Sequence, residues 1–314
     1  MARVAYLFPG QGSQGVGMGR ELYEAYPVAR DVFDEADRIM GFSLSSLCFE
    51  GPEETLTDTG NAQPAIFATS LACWRVLESV APEAFASPSF MAGHSLGEYS
   101  ALAAAGALDL ADGLQLVCER GRLMKLAGQR NPGGMAAVLG LDDAAVDEVC
   151  HQARDETGGV VQAANYNAPG QIVISGDSVA LARAMALADE AGARRVVQLA
   201  VSIGSHSPLM ANIADDFRRA VESTPLHEPG VPVIANVTGR PLASVPAIRE
   251  EMVRQLTSPV RWVASMQHAL DEGVTTFVEL GHGQVLAGLL KRIDRSARRV
   301  NVGDVADLQK LLKD

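Results

Sequence analysis

Phe90-Met91-Ala92-Gly93-His94-Ser95-Leu96-Gly97-Glu98 decides the fold. Three apolar residues end in a serine set between glycines, and an alanine-rich helical pattern follows from Glu98. A short apolar run closed by glycine reads as a buried strand, so the segment predicts strand, sharp turn, helix. The same punctuation occurs at the start of the chain, where Val4 to Phe8 is stopped by Pro9-Gly10. Between the two, Pro27 to Met40 places Ala29, Val32, Phe33, Ala36, Ile39 and Met40 on one helical face. Gln63-Pro64 opens a further helix with proline in its first turn, followed by Phe67, Leu71, Trp74 and Leu77 at helical spacing. Strands alternating with helices predict an α/β sheet.

The pattern changes in the middle of the chain. Met135–Leu141 reads as a strand and Asp142–Arg154 as a helix with Ala145, Val146, Val149 and Cys150 inward. Val160–Asn165 and Gln171–Ser175 read as strands joined across Asn167-Ala168-Pro169-Gly170. Ser178 is expected to cap a second helix that Gly192 ends, and Arg195–Val201 reads as a last strand. The order βαββαβ is that of a ferredoxin-like unit. Residues 130–201 are therefore expected to form a small subdomain inserted in a larger body of residues 1–129 and 202–314. The body resumes with a helix after His206, strands at Val231–Val237 and Thr276–Leu280, and a helix over Val285–Ile293.

Composition narrows the function. The 314 residues, 47% of them hydrophobic, suffice for a large core. A net charge of −12 argues against nucleic-acid binding through bulk positive charge. No apolar run approaches the roughly 20 residues of a membrane span, and the N-terminal apolar stretch is too short for a secretory signal. Cys48, Cys73, Cys118 and Cys150 are widely spaced, and no CxxC or histidine cluster suggests a metal site. The expectation is an acidic, cytoplasmic globular protein without disulfides.

Two glycine motifs compete for the chemistry. Gly10-Gln11-Gly12-Ser13-Gln14-Gly15 fits GxGxxG after a strand. A dinucleotide site also needs a second strand ending in an acidic residue about 20 residues on. Here Asp31, Asp34 and Glu35 fall inside a helical pattern, so a tight turn packed under a helix is the better reading. Gly93-His94-Ser95-Leu96-Gly97 is GxSxG between strand and helix. The turn projects Ser95 Oγ, the glycines remove clashing Cβ atoms, and the helix N-terminus faces developing negative charge. The Leu96 N–H is the natural first oxyanion donor. Among six histidines, His151 sits in the small-subdomain helix, and His227 and His268 lie in polar, charged surroundings and are expected at the surface; His94 is too close to Ser95 along the chain to aim at its Oγ and is read as a packed structural residue. His206 stands where the chain returns from the small subdomain, facing the cleft, and is the candidate general base; His282, in a glycine loop, remains open.

Over essentially its whole length the sequence resembles malonyl-CoA:acyl-carrier-protein transacylases and the acyltransferase domains of polyketide synthases. The matching stretches include Phe8-Pro9-Gly10-Gln11-Gly12-Ser13-Gln14, Gln63-Pro64-Ala65, Gly93 to Glu98 and Arg120-Gly121-Arg122-Leu123-Met124. Further on come Asn165 to Gln171, His206-Ser207-Pro208-Leu209-Met210, Ser258 to Trp262 and Glu279-Leu280-Gly281-His282-Gly283. The resemblance implies an α/β-hydrolase-like body carrying the ferredoxin-like unit. It makes Ser95 the acyl-accepting nucleophile and His206 its base, oriented by the backbone carbonyl of Gln255. It places the oxyanion between the N–H groups of Gln11 and Leu96, and sets Arg120 against the free carboxylate of a malonyl group. Gln63, Asn165, Ser205 and His94 are its candidate pocket residues.

The implied reaction is ping-pong transfer from malonyl-CoA to the phosphopantetheine thiol of an acyl carrier protein, in fatty-acid or polyketide synthesis, by a monomer needing no metal or redox cofactor. One departure stands out: many malonyl-selective members carry Phe before the catalytic histidine, where this chain has Ser205. That leaves room for a branch on the malonyl α-carbon. An acidic carrier protein would need a local basic patch, for which Lys291, Arg292, Arg295, Arg298 and Arg299 are candidates, with a plain solvated surface as the alternative. Two other functions fit part of the pattern, a serine thioesterase or lipase-like hydrolase using Ser95 and His206, and a nucleotide-binding module using Gly10 to Gly15.

Overall fold

A computed structural model describes residues 3–80 and 88–313. The chain opens with β1 (Arg3–Phe8), then α1 (Arg20–Ala25), α2 (Pro27–Met40), α3 (Leu44–Glu50), α4 (Glu53–Thr57) and α5 (Thr59–Val80). β2 (Phe90–Gly93) leads into α6 (Gly97–Ala104) and α7 (Leu110–Arg130). The middle holds β3 (Gly133–Leu139), α8 (Asp143–Thr157), β4 (Val161–Ala168), β5 (Gln171–Asp177), α9 (Ser178–Glu190) and β6 (Arg195–Gln198). The remainder comprises α10 (Ala211–Ser223), β7 (Val233–Ile234), α11 (Val245–Arg254), α12 (Trp262–Asp271), β8 (Val274–Leu280), α13 (Val285–Ile293), β9 (Arg298–Val302) and α14 (Val305–Leu311).

The body is built on a parallel sheet of order β7-β2-β1-β8-β9. Alternation along β1 shows why both faces are covered: Tyr6 and Phe8 enter one core with Phe33, Phe67 and Tyr99, while Ala5 and Leu7 enter the other with Trp262, Phe277 and Leu290. Each such large apolar side chain contributes about 1.5–3 kcal/mol on burial. The second sheet, antiparallel and ordered β4-β5-β3-β6, has the strand order of a ferredoxin-like unit. Val146, Val149, Ala180, Leu181 and Ala184 pack α8 and α9 on one of its faces. β4 also pairs with the body: Tyr166 N–H donates to Val260 O (2.9 Å) and Val260 N–H to Ala164 O (2.8 Å).

Several local expectations shift. Pro64 lies inside α5 rather than in its first turn, because the helix starts at Thr59 behind Asp58, whose carboxylate accepts the Gly60 N–H (3.1 Å). Asp177, not Ser178, caps α9; its Oδ1 accepts the Val179 and Ala180 N–H groups (3.0 and 2.9 Å). The strand expected over 231–237 is only Val233–Ile234, and the run after Arg195 ends at Gln198. Arg298–Val302, read as part of a basic surface cluster, is the edge strand of the main sheet. The four cysteines are unpaired. Among the described residues no helix is long and apolar enough to cross a membrane, and no three His, Cys, Asp or Glu side chains gather as a metal site.

Candidate active site

The turn after β2 is as tight as its sequence requires. A Cβ on Gly93 would lie 1.9 Å from the Gly97 carbonyl group, and one on Gly97 would lie 2.0 Å from Phe8 O. No side chain fits either position. Ser95 takes φ +53° between them; the only other non-glycine residue with positive φ among those described is His206, at +56°. Such backbone is strained for an L-residue and persists only where its surroundings enforce it.

These two strained residues meet. Ser95 Oγ lies 2.8 Å from His206 Nε2, and His206 Nδ1 lies 2.7 Å from Gln255 O. A carbonyl only accepts, so Nδ1 carries the proton; in the neutral ring Nε2 is then the acceptor, and Ser95 Oγ–H the donor. Burial, and next the charge of Arg120, push the His206 imidazolium down to about 3, so the ring is neutral at pH 7.

Arg120 comes from α7 and is only 2% exposed. Its Nη1 donates to Gln63 Oε1 (2.9 Å), and its Nη2 to Gln255 Oε1 (3.0 Å) and Ser95 Oγ (3.2 Å). The guanidinium lies 5.3 Å from the centre of the Tyr99 ring, and its Nε has no hydrogen-bond partner among the described residues. All its hydrogen-bond partners are neutral. A buried cation whose hydrogen bonds, among the described residues, all go to neutral groups is costly, and a bound carboxylate would relieve that cost.

Leu96 is buried at the start of α6. Among the described residues neither its N–H nor that of Gln11 donates to another group. The Gly10–Gly15 loop packs on the elbow: Gly10 lies so close that a Cβ there would come 2.3 Å from His94 O. After the loop the chain enters α1, and the next strand is β2, so no dinucleotide-type strand–helix–strand unit exists there.

Sequence reasoning thus brings Ser95, His206, Arg120, Gln63 and Gln255 together. The other candidates sit apart from that hydrogen-bonded group. His94 Nε2 bonds Asn167 Oδ1 (2.7 Å) with its ring 5.5 Å from Trp262, and burial lowers its basicity. Asn165 is buried on a bulge of β4 and Ser205 is half-buried. His282 lies over Gly15 rather than Ser95. His268, expected at the surface, is half-buried against Phe90 at 5.4 Å.

Two contributors, Gln162 and Asn236, and a side-chain role of Gln255 escaped the sequence reading. Gln255 donates its side-chain Nε2 to Ser95 O (3.0 Å) as well as offering its carbonyl to His206. Gln162, from β4, donates to His206 O (2.7 Å) and Thr257 O (3.3 Å), so the small subdomain braces the base. Asn236 holds both sides of the elbow, accepting the Ser95 N–H on Oδ1 and donating Nδ2 to Gly93 O, each at 2.7 Å.

A parallel sheet topped by a serine elbow, with an inserted ferredoxin-like unit whose Gln162 reaches the His206 carbonyl, defines an α/β-hydrolase-like class. The chain belongs to the acyl transferase domain family, whose model matches residues 5–311. It is 47% identical over 304 residues to the malonyl CoA-acyl carrier protein transacylase of Bacillus subtilis, covering 97% of this chain and 94% of that protein. The crystal structure of malonyl-CoA:acyl carrier protein transacylase from Xanthomonas oryzae superposes with TM-score 0.95 at 44% identity, covering 100% of this chain and 98% of that one. A malonyl-transacylase, PlMCAT, solved in complex with the holo type II polyketide acyl-carrier protein AntF, gives TM-score 0.95 at 41% identity, covering 99% of each chain.

Proposed function

We propose that this protein moves a malonyl group from CoA to the phosphopantetheine thiol of an acyl carrier protein through an ester on Ser95. The observation that carries the reading is Arg120, a buried cation that donates to Ser95 Oγ and whose hydrogen-bond partners among the described residues are all neutral. A malonyl carboxylate supplies that partner through two parallel charge-assisted hydrogen bonds and sets the thioester carbonyl against Oγ.

Nε2 takes the Oγ proton as Ser95 attacks, and the Leu96 and Gln11 N–H groups receive the oxyanion. Each such donor contributes on the order of 3 kcal/mol in the transition state. The tetrahedral adduct collapses, and the CoA sulfur leaves with the proton held by His206. The pantetheine thiol then gives its proton to Nε2 and attacks the ester; the adduct collapses and Ser95 Oγ leaves with that proton, which restores the free hydroxyl and the neutral imidazole. Pairing of the substrate carboxylate with Arg120 also removes a charge that depresses His206, so the base strengthens when the correct substrate binds. No metal or redox cofactor takes part in these steps, and a monomer contains all the groups they use.

Ser205 favours a second substrate within the same class. A serine beside the base leaves space for an α-methyl, which is worth only about 1–3 kcal/mol in selectivity, so methylmalonyl transfer would accompany malonyl transfer. For the carrier protein, Lys291, Arg298, Arg299 and Lys310 line a groove of about 420 Å³ between α13, β9 and α14. Within the groove Arg299 also donates to Ala297 O (2.6 Å); Arg292, outside it, donates to Gln171 Oε1 (2.5 Å) and Pro169 O (3.0 Å). The groove is the better docking surface for an acidic partner. Intact mass spectrometry after incubation with mixed acyl-CoAs tests the reading: a malonyl increment on wild type and none on Ser95→Ala is expected. The absence of any dicarboxylic acyl increment on wild type would refute it.

A further inference from the structure

Asn236 stands just past the end of β7. The parallel register pairs Ala92 with Ile234, which brings the turn after β7 beside the elbow after β2. The side chain is fully buried, and both ends of its carboxamide are committed to the backbone of the elbow. Its own main chain is held as firmly: Asn236 N–H donates to Glu98 Oε2 (2.7 Å), Val237 N–H to Glu251 Oε1 (2.7 Å), and Arg261 N–H to Asn236 O (2.8 Å). Glu98 and Glu251 are buried carboxyls, and Glu98 is shifted toward its neutral form by burial and by Glu251.

Resting on the assignment of Ser95 as nucleophile, we propose that Asn236 is a positioning residue: anchored by Glu98 and Glu251, it clamps Gly93 O and the Ser95 N–H and holds Ser95 in the left-handed backbone that aims Oγ at His206. The clamp has a second consequence. By occupying the Ser95 N–H it leaves Leu96 N–H as the elbow's free donor, so the oxyanion falls on one side of Oγ only. Asn suits the task because one short planar group carries an acceptor and a donor; no carboxylate or hydroxyl offers both with this spacing.

The test is single-turnover formation of the seryl ester with malonyl-CoA, alongside KM and thermal melting. Asn236→Ala is expected to slow ester formation roughly 100-fold, as a misplacement of about 1 Å does, while KM stays within about twofold because Arg120 and Gln63 are untouched. If Asn236→Ala does not fold, Asn236→Ser, which reaches at most one of the two groups, carries the same expectation of slowed ester formation at constant KM. A folded variant that acylates within about threefold of wild type overturns the proposal. So does a variant whose KM rises as much as its rate falls. Ser95→Ala is run in parallel: an ester still formed in that variant would refute the nucleophile itself, an outcome separate from failure of the clamp.

Discussion

Replacing Arg120 by alanine separates recognition of a diacid from generic acyl transfer. The guanidinium donates to Ser95 Oγ, and in the proposed reaction it also grips the carboxylate of a malonyl group. The first role affects every acyl donor alike; the second acts only on a malonyl group. Two charge-assisted hydrogen bonds at about 1.5–3 kcal/mol each amount to about 3–6 kcal/mol of lost transition-state binding. At about 1.4 kcal/mol per factor of ten, kcat/KM on malonyl-CoA should fall about 10²- to 10⁴-fold further than on acetyl-CoA. The assay is transfer to a carrier-protein thiol from each donor over a range of concentrations, with circular dichroism confirming the fold. Equal losses on both donors would refute the clamp, whatever their size.

Other outcomes follow from the same geometry. Gly97→Ala places a Cβ 2.0 Å from Phe8 O and should cost about 4 kcal/mol or more, read as lost soluble yield or a collapsed urea midpoint. Native His206 takes a proton only below about 3, against about 6.5 unfolded, so the unfolded chain binds more protons between those values and stability falls with pH. Lowering the pH from 6.5 to 5 should therefore cost wild type about 2 kcal/mol more than His206→Gln in urea titrations; parallel profiles would contradict the neutral buried ring. Lys291→Glu with Lys310→Glu should raise the KM for carrier protein about tenfold at low salt and leave acylation by malonyl-CoA unchanged, whereas an unaltered salt dependence would remove the groove from docking. Gln162→Ala should lower kcat with little change in KM for malonyl-CoA, since it loosens the carbonyl side of His206.

What the sequence discloses here is whatever is local. Ser95 is legible because strand, glycine, serine, glycine and helix follow one another within nine residues. The βαββαβ unit is legible because each of its helices carries a periodic apolar face ended by glycine. Asn236 is illegible for the opposite reason: it reaches the elbow from 141 positions away, a contact that only the fold creates. Gln162 likewise braces a residue 44 positions distant. Glu98 is visible within the serine motif, yet only the fold shows that its partner is a backbone amide at position 236. β9 was hidden by its own side chains, since Arg298 and Arg299 suggest solvent while the backbone completes the sheet edge. The family resemblance supplied Arg120 and the Gln255 carbonyl, which no spacing rule would have joined to Ser95.

Gln255 serves its neighbours in two currencies that mutation treats differently. A carbonyl belongs to the chain whatever side chain hangs from it, so the imidazole's anchor survives any exchange at this position. The amide beyond it, reaching the guanidinium and the serine's own carbonyl, does not. A truncated variant should therefore keep a correctly turned base while losing its grip on the acid-recognising half of the pocket, turning a fastidious enzyme into a permissive one by a single codon.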